Sequence, residues 1–413
     1  MHDAAAKTLD IDCCIVGGGP AGVMVGFLLA RAGIQVAVLE KHGDFLRDFR
    51  GDTVHPSTLQ AMADLGLLDA FLKLPHTELA RLSGEFGGTL VRLVDFSHLP
   101  TAARFIALMP QWDFLDFLVG QARKFAAFRL LMHTRAIALI ETGARVSGVR
   151  AETPDGPLEV RARLVIAADG RGSILRDQAG FAVTDLGAPM DVLWMRLSRR
   201  PGDSAEAPLG RVSAGRMFIM IPREGYFQCG YVAAKGSFGA IQAAGIEAFR
   251  RDVALAGPAI ADRVDELASF DEVHLLTVTV DRLERWSRPG LLCLGDAAHA
   301  MSPVGGVGIN LAVQDAIAAA NLLHDAFGGS DAALDARLDG VRVRRLPAVK
   351  AMQALQVFVQ NRIIGAALDG RPLKAPAALK LFNLIPLLRR LPARVIGLGF
   401  RMERVTSPDV TAP

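Results

Sequence analysis

The chain opens on an apolar run, Ile11 to Val16, broken only by Asp12, the pattern of a strand buried on both faces. A glycine cluster interrupts it, after which Ala21 to Ala32 predicts a helix and Gln35 to Leu39 a second buried strand. Strand, helix and strand in that order make a βαβ unit of a parallel sheet. Pro56 to Leu65 is another helix candidate. From Phe128 to Glu159 the chain alternates and turns repeatedly, with Thr153-Pro154-Asp155-Gly156 as a hairpin signal. Val165 to Ala168 is apolar again and stops at Asp169-Gly170. Between about 185 and 270 lie short strand-like runs, Val192–Leu197, Met217–Ile221 and Tyr226–Val232, which predict an antiparallel sheet in a separate layer. Leu291 to Leu294 predicts one more buried strand of the first sheet. A long helix is expected after Asn310, and from about residue 345 the pattern is helical to the end.

This order predicts an α/β protein with a discontinuous, Rossmann-like nucleotide domain built from residues 1–75, 100–184 and 270–345. A substrate-binding sheet domain, 76–99 and 185–269, is inserted into it, and 346–413 forms a C-terminal helical region. A chain of 413 residues is long enough for two or three domains. Its 41 glycines against 6% aromatic residues suit many tight strand-to-helix turns. A net charge of +3 is small for this length and gives no reason to expect a nucleic-acid partner. The cysteines, Cys13, Cys14, Cys229 and Cys293, form no C-x-x-C pair and no zinc spacing, so no metal is expected and a reduced, cytoplasmic protein is. The first ten residues lack a signal-peptide layout. The uncharged stretch from Cys13 to Ala30 has membrane-like hydropathy, but its glycines and Pro20 fit a nucleotide-binding turn better.

Three motifs carry chemistry. Gly17-Gly18-Gly19-Pro20-Ala21-Gly22 is a G-x-G-x-x-G between the first strand and its helix. Gly17 permits the tight turn, Gly19 lets a diphosphate approach the backbone, and Gly22 allows close helix–strand packing, with the helix N-terminus facing the phosphates. Glu40 ends the second strand where an acid should hold ribose hydroxyls. The bland reading, a glycine turn and a surface acid, lacks any reason for that joint context. The second motif is Gly295-Asp296-Ala297-Ala298-His299, followed by Pro303, Gly305, Gly306, Gly308 and Asn310. Its glycines let backbone amides reach a flat ligand, and the helix start offers unpaired N–H groups to negative charge. The third is Asp169-Gly170-Arg171-Gly172-Ser173 with Arg176, which alone is no more than a strand ending in a turn.

Taken together, the three resemble the single-component FAD-dependent aromatic hydroxylases, the family of p-hydroxybenzoate hydroxylase and of the polyprenyl-phenol hydroxylases. There, a glycine fingerprint, D-G-x-x-S-x-x-R and G-D-A-A-H…P…G-x-G-x-N occur in this order. The resemblance spans residues 9 to about 320 and thins beyond 345. It implies a p-hydroxybenzoate hydroxylase-like fold with FAD, reduced by NADH or NADPH and reacting with O2. The chemistry it implies is hydroxylation of a phenol-like or other apolar substrate through a flavin 4a-hydroperoxide. It further implies that Arg50 lies near the FAD phosphates and that Gln111 touches the cofactor. Lys41 stands beside the ribose acid, where the family often has arginine. Asp296 is implied to hold the ribityl chain, Ile309 and Asn310 to present N–H groups to the flavin edge, and Asp169 to serve both FAD and NAD(P)H. Pro303 is implied to sit near the reacting edge of the ring. The chain lacks the W-x-W-x-I-P segment of halogenases of this fold, and it has no second G-x-G-x-x-G for a separate NAD(P)H domain.

The cofactor carries the reactive oxygen, so the protein's task is positioning, water exclusion and protonation. Candidates for a phenol's base are His55, Tyr226 and Tyr231, although a packed, satisfied side chain is the more ordinary fate of each. The tyrosines are five apart and so fall on opposite faces of a strand. His299 lies inside the second motif and is expected to be structural. Met190, Met195, Met217, Met220 and Phe218 populate the inserted sheet, as core or as an apolar cavity wall. Residues 371–404 hold eight Lys/Arg and one acid interleaved with apolar residues. They form either a lid packed on the domain, which is favoured, or a surface for an anionic membrane. Two other functions stay open: a flavin-dependent reductase of the same fold, and a non-catalytic FAD-binding protein.

Overall fold

Cys13–Val16, the end of the Lys7–Val16 strand, is apolar on both faces and requires neighbours on both edges and cover on both sides, and the computed structural model supplies them. It describes residues 7–46, 53–203, 209–213, 215–368 and 377–410. Lys7–Val16 pairs in parallel with Val36–Leu39 and, on its other edge, with Gly156–Ala167. Phe128–Leu131 and Leu291–Cys293 extend this parallel sheet outward. A meander through Arg135–Thr142 and Arg145–Thr153 joins Gly156–Ala167 in antiparallel fashion. The Pro20–Arg31 helix lies so close to the sheet that a Cβ at Gly26 would stand 2.8 Å from Val38. Gly308–Leu323 also packs into the core. The segment Val304–Gly328 is long and apolar enough to cross a membrane, but 78% of its most apolar window is buried inside the protein, so it is a core helix.

The second sheet has seven strands in the order His274–Leu276, Met190–Ser198, Tyr226–Ala234, Arg216–Pro222, Gly210–Ser213, Arg81–Phe86, Thr89–Asp95. Every pairing is antiparallel except Gly210–Ser213 with Arg81–Phe86. Strand alternation divides its side chains. Leu193, Met195, Leu197, Phe218, Met220, Phe227 and Cys229 pack with Phe249 and Val253 of the Ile246–Ala256 helix. Met190, Val192, Trp194, Met217, Ile219 and Val232 point the other way, into a cluster with Val304 of the glycine-rich loop and with Ala393 and Leu398 near the C-terminus. The sheet methionines therefore split between a helix-packed core and the face that meets the second motif.

Two expectations are corrected. The helix expected after Asn310 begins at Gly308, directly behind the left-handed turn at Gly305 and Gly306 (φ 80° and 64°). The C-terminal region is not helical to its end. Asp331–Val359 is one helix through residue 345, but Gly399 (φ 73°) stops the Arg390–Leu398 helix, and the tail then lies irregularly over the nucleotide domain. Polar bonds hold it there: Arg404 to Asp64 (2.6 Å), Asn321 to the Arg404 carbonyl (2.8 Å) and Arg31 to Asp409 (3.2 Å). Such long-range bonds leave no periodic trace in a sequence.

Candidate flavin site

Each fingerprint glycine has its own steric reason. A Cβ at Gly17 (φ 107°) would lie 2.3 Å from the Ala168 carbonyl, and one at Gly22 would lie 1.9 Å from the Gly17 carbonyl. At Gly19 the same test meets none of the described residues within 4 Å, so among them the turn is open on the side where a diphosphate would come. No side chain caps the Pro20–Arg31 helix, which leaves its first N–H groups for a ligand. Pro20 is half-buried at that start. Glu40 is buried beside the turn, its carboxylate accepting from the Gly18 N–H (2.9 Å) and the His42 N–H (3.0 Å). Lys41 is exposed next to it.

The other two motifs fold onto this turn. Gly17 abuts Ala168 and Asp169, and the Cβ position of Gly295 (φ 57°) stands 3.1 Å from the Ala21 methyl. Asp169 Oδ1 is buried with no hydrogen-bond partner among the described residues, and burial pushes the carboxyl up despite the opposing bond from Ser173. Asp296 is half-exposed and accepts from Arg171 Nε at 3.0 Å. The sequence motif contained Arg171, but nothing in it indicated that this arginine reaches the acid of the other motif.

The glycine loop is anchored from an unexpected side. A Cβ at Gly306 would stand 2.5 Å from Thr53 Oγ1, and that hydroxyl donates to the Gly306 carbonyl at 2.8 Å. Asn310 Oδ1 accepts from the His55 N–H (2.8 Å) and from Thr58 Oγ1 (2.7 Å). The Asn310 side chain is thus a clamp between two segments. The backbone N–H groups at the start of its helix have no side-chain cap, and Gly308 opens on empty space. Pro303 is half-buried just before this loop, Ile309 is buried, and Gln111 is half-buried at the head of the Gln111–Ala122 helix. Arg50 lies outside the described residues.

His55 is fully buried, and its Nδ1 is 2.8 Å from the Ile396 carbonyl. A carbonyl only accepts, so Nδ1 carries the proton and Nε2 is a bare lone pair, buried without a partner among the described residues. Burial lowers its pKa to about 4, outweighing the bond to Ile396. The tyrosines do fall on opposite faces. Tyr231 meets the Phe249 ring at 5.6 Å on the helix-packed side, where burial raises its pKa. Tyr226 is half-buried under the Arg196 guanidinium (5.2 Å) on the face shared with Trp194 and Ile219. His299 is buried against Asp315 (2.6 Å), which also binds Arg345 (3.0 Å), and Arg345 reaches Glu403 (3.3 Å). Arg345 and Glu403 could not be singled out from sequence, because each sits among other charged residues and nothing local marks it as buried.

The open backbone at Gly19 and Gly308, the uncapped helix starts and the orphaned Asp169 oxygen fit a dinucleotide with a flat ring system, such as FAD. A direct check is Glu40→Ala, which should weaken FAD binding to the apoprotein by about 1.5–3 kcal/mol, the range for a charged hydrogen bond. Unchanged affinity in that titration would reduce Glu40 to a cap for Gly18.

Fold and site together define a flavoprotein oxidoreductase. A family model described as "FAD binding domain" matches residues 10–355. The chain belongs to that family and is an FAD-dependent monooxygenase. It is 31% identical to 6-methylpretetramide 4-monooxygenase of Streptomyces rimosus, over 96% of this chain and 94% of that one. It is 28% identical to rifampicin monooxygenase of Streptomyces venezuelae, over 74% of this chain and 62% of that enzyme. Among solved structures, PqsL of P. aeruginosa, in complex with 2-aminobenzoylacetate, superposes with a TM-score of 0.72. It has 23% identity and covers 86% of this chain and 99% of that one.

Proposed function

We propose that this enzyme hydroxylates an apolar, multi-ring aromatic substrate, consuming NADH or NADPH and O2. The observation that supports it is the meeting of the glycine loop with an apolar sheet face of Met217, Ile219 and Trp194 through Val304. A flat, apolar ring would be held there against the flavin edge with water excluded. The relative that acts on 6-methylpretetramide supports a substrate of that class.

In this reading the Gly17–Gly22 turn with Pro20 and Ala21 holds the diphosphate, Arg50 adds a cation, and Glu40 and Lys41 hold the adenosine ribose. Asp296 and Gly295 take the ribityl chain, Gln111 touches the cofactor, and the N–H groups at Gly308, Ile309 and Asn310 face the pyrimidine edge of the ring. Bound FAD supplies the chemistry that accepts hydride and activates oxygen. Asp169 couples that site to the nicotinamide cofactor, and Pro303 walls the reacting edge. His55 stays neutral at physiological pH, so its Nε2 can accept a hydrogen bond from a ligand but stores no proton. Tyr226 shares the substrate face and remains the candidate to orient a hydroxyl. The nucleotide, sheet and C-terminal divisions expected from sequence are kept in this proposal.

NAD(P)H oxidation with matching oxygen uptake, stimulated by a multi-ring phenol and yielding a product heavier by one oxygen, is the expected result. Turnover without oxygen would indicate the reductase alternative, and a flavin never bleached by NAD(P)H would indicate a non-catalytic protein.

We further propose that this cytoplasmic enzyme contacts anionic membranes through its C-terminal segment. Of the sixteen large hydrophobic residues exposed among the described residues, six fall within 381–400, including Leu384 (77% exposed), Leu387 (62%) and Leu391 (70%). Lys380, Arg390 and Arg394 are exposed beside them. Each cation near an anionic surface contributes about 1 kcal/mol, falling with salt. The protein should co-sediment with phosphatidylglycerol vesicles at low salt and less so at high salt. A supernatant-only result at low salt would leave the segment as a lid.

A further inference from the structure

We propose that Trp194, seated on Gly230, is the group that recognises a hydrogen-bond acceptor on the substrate, a carbonyl or phenolate oxygen carried by a fused-ring aromatic. The inference rests on the monooxygenase reading and names the polar feature that an otherwise apolar site would select.

Trp194 and Gly230 are cross-strand partners in the second sheet. A Cβ at residue 230 would lie 3.0–3.2 Å from the Cζ3, Cε3 and Cη2 atoms of the indole. The ring therefore lies across the neighbouring strand, in space that a side chain at 230 would contest. This is the sheet face that meets the glycine loop: Trp194 shares its cluster with Val192, Met217, Ile219 and Val304.

Trp194 is 7% exposed, and its Nε1 is buried without an acceptor among the described residues. An indole N–H can only donate, and a buried tryptophan normally finds a partner for it. Trp286 shows the ordinary outcome in this same protein, its Nε1 donating to the Leu283 carbonyl at 3.1 Å. The apolar side chains clustered with Trp194, Phe96 among them, offer no good acceptor, and its cross-strand partner His274 is exposed at the sheet edge. What completes the donor must enter from outside, and on this face the entrant is the substrate. One fixed donor in an apolar wall orients a ring without holding it by charge. A site built around such a donor discriminates strongly against an analogue that leaves it unpaired.

The test uses FAD-loaded enzyme with 15N-labelled tryptophan and 1,8-dihydroxyanthraquinone as probe, a three-ring compound bearing carbonyl and phenol oxygens. Trp194→Phe keeps an aromatic ring, removes the donor and assigns the Trp194 indole signal. The flavin absorption spectrum independently reports whether the probe has entered. The expected result is a downfield shift of the Trp194 N–H on titration and probe affinity weaker by about tenfold in Trp194→Phe, one hydrogen bond's worth. FAD affinity should be unchanged. Gly230→Ala, which displaces the indole and keeps its N–H, should weaken the probe as well. If the probe perturbs the flavin while the Trp194 signal stays still and Trp194→Phe binds equally well, the inference is wrong and the monooxygenase reading survives. If the wild-type flavin ignores the probe although other aromatics stimulate NAD(P)H oxidation, the acceptor-bearing fused-ring class is wrong. If no aromatic compound stimulates that oxidation, the reading beneath the inference falls with it.

Discussion

Arg345→Met is expected to cost about 3–5 kcal/mol of stability, the range for removing one partner of a buried ion pair. Arg345 and Asp315 are fully buried and Glu403 nearly so. Arg345 Nε donates to Asp315 (3.0 Å), and its Nη1 donates to Glu403 (3.3 Å) and to the Arg401 carbonyl (2.8 Å). Methionine fills similar space but leaves two buried carboxylates short of a cation. Asp315 keeps His299, and Glu403 keeps Arg344 and the more distant Arg401 (3.9 Å), which places the expected loss toward the lower end of that range. The half-exposed Arg344 should cost about 1 kcal/mol or less when replaced, as solvent screens it. Urea unfolding of the FAD-saturated enzyme compares the two variants. An Arg345→Met loss below about 1 kcal/mol would mean that water or neighbouring arginines compensate, and that the tail is not held through this residue.

The same cluster sets an acid limit. Burial pushes the Asp315 carboxyl up, but His299 and Arg345 outweigh it and hold the pKa below the ordinary value. Its contribution is therefore present at neutral pH and is lost as pH falls through the depressed folded value.

The second large effect belongs to His55 and appears at milder pH. Its pKa falls from 6.5 to about 4 on folding. Above pH 6.5 both folded and unfolded states hold a neutral ring, and the shift has no effect. As pH drops toward 4, the unfolded chain takes up a proton that the folded one refuses, so stability declines. At about 1.4 kcal/mol per pKa unit the total is about 3 kcal/mol. His55→Asn retains a donor for the Ile396 carbonyl and has no titrating group. Its unfolding free energy should vary less than the wild type's between pH 7 and 4.5. Parallel pH profiles for the two proteins would show that the ring is solvated before unfolding. This matters for function, because the same burial that makes His55 pH-sensitive keeps Nε2 a neutral acceptor in the working enzyme.

What could be read from sequence follows physical range. The strand–turn–helix at 11–32 and the strand ending at Glu40 are local: apolar runs, glycines at fixed offsets and an acid at the strand end act over few residues. The same holds for the opposite-face placement of Tyr226 and Tyr231, which needs only strand alternation. The glycine pattern 305–308 also marked a helix start, although it could not show that the helix takes in Asn310. By itself, then, the sequence determined the parallel sheet, the dinucleotide turn and the order of three motifs.

Only tertiary structure decided what those motifs touch. Arg171 reaching Asp296, Thr53 and His55 clamped to Asn310, and Trp194 lying over Gly230 join residues 36 to 257 positions apart. None of these contacts has a period or a spacing rule behind it. The C-terminus shows the same division. Its charges and leucines were visible in sequence, but whether a given arginine is solvated or sealed in an ion pair depends on which distant surface covers it. Burial, the quantity that sets the cost of Arg345 and the pKa of His55, belongs to the packed whole and not to any stretch of chain.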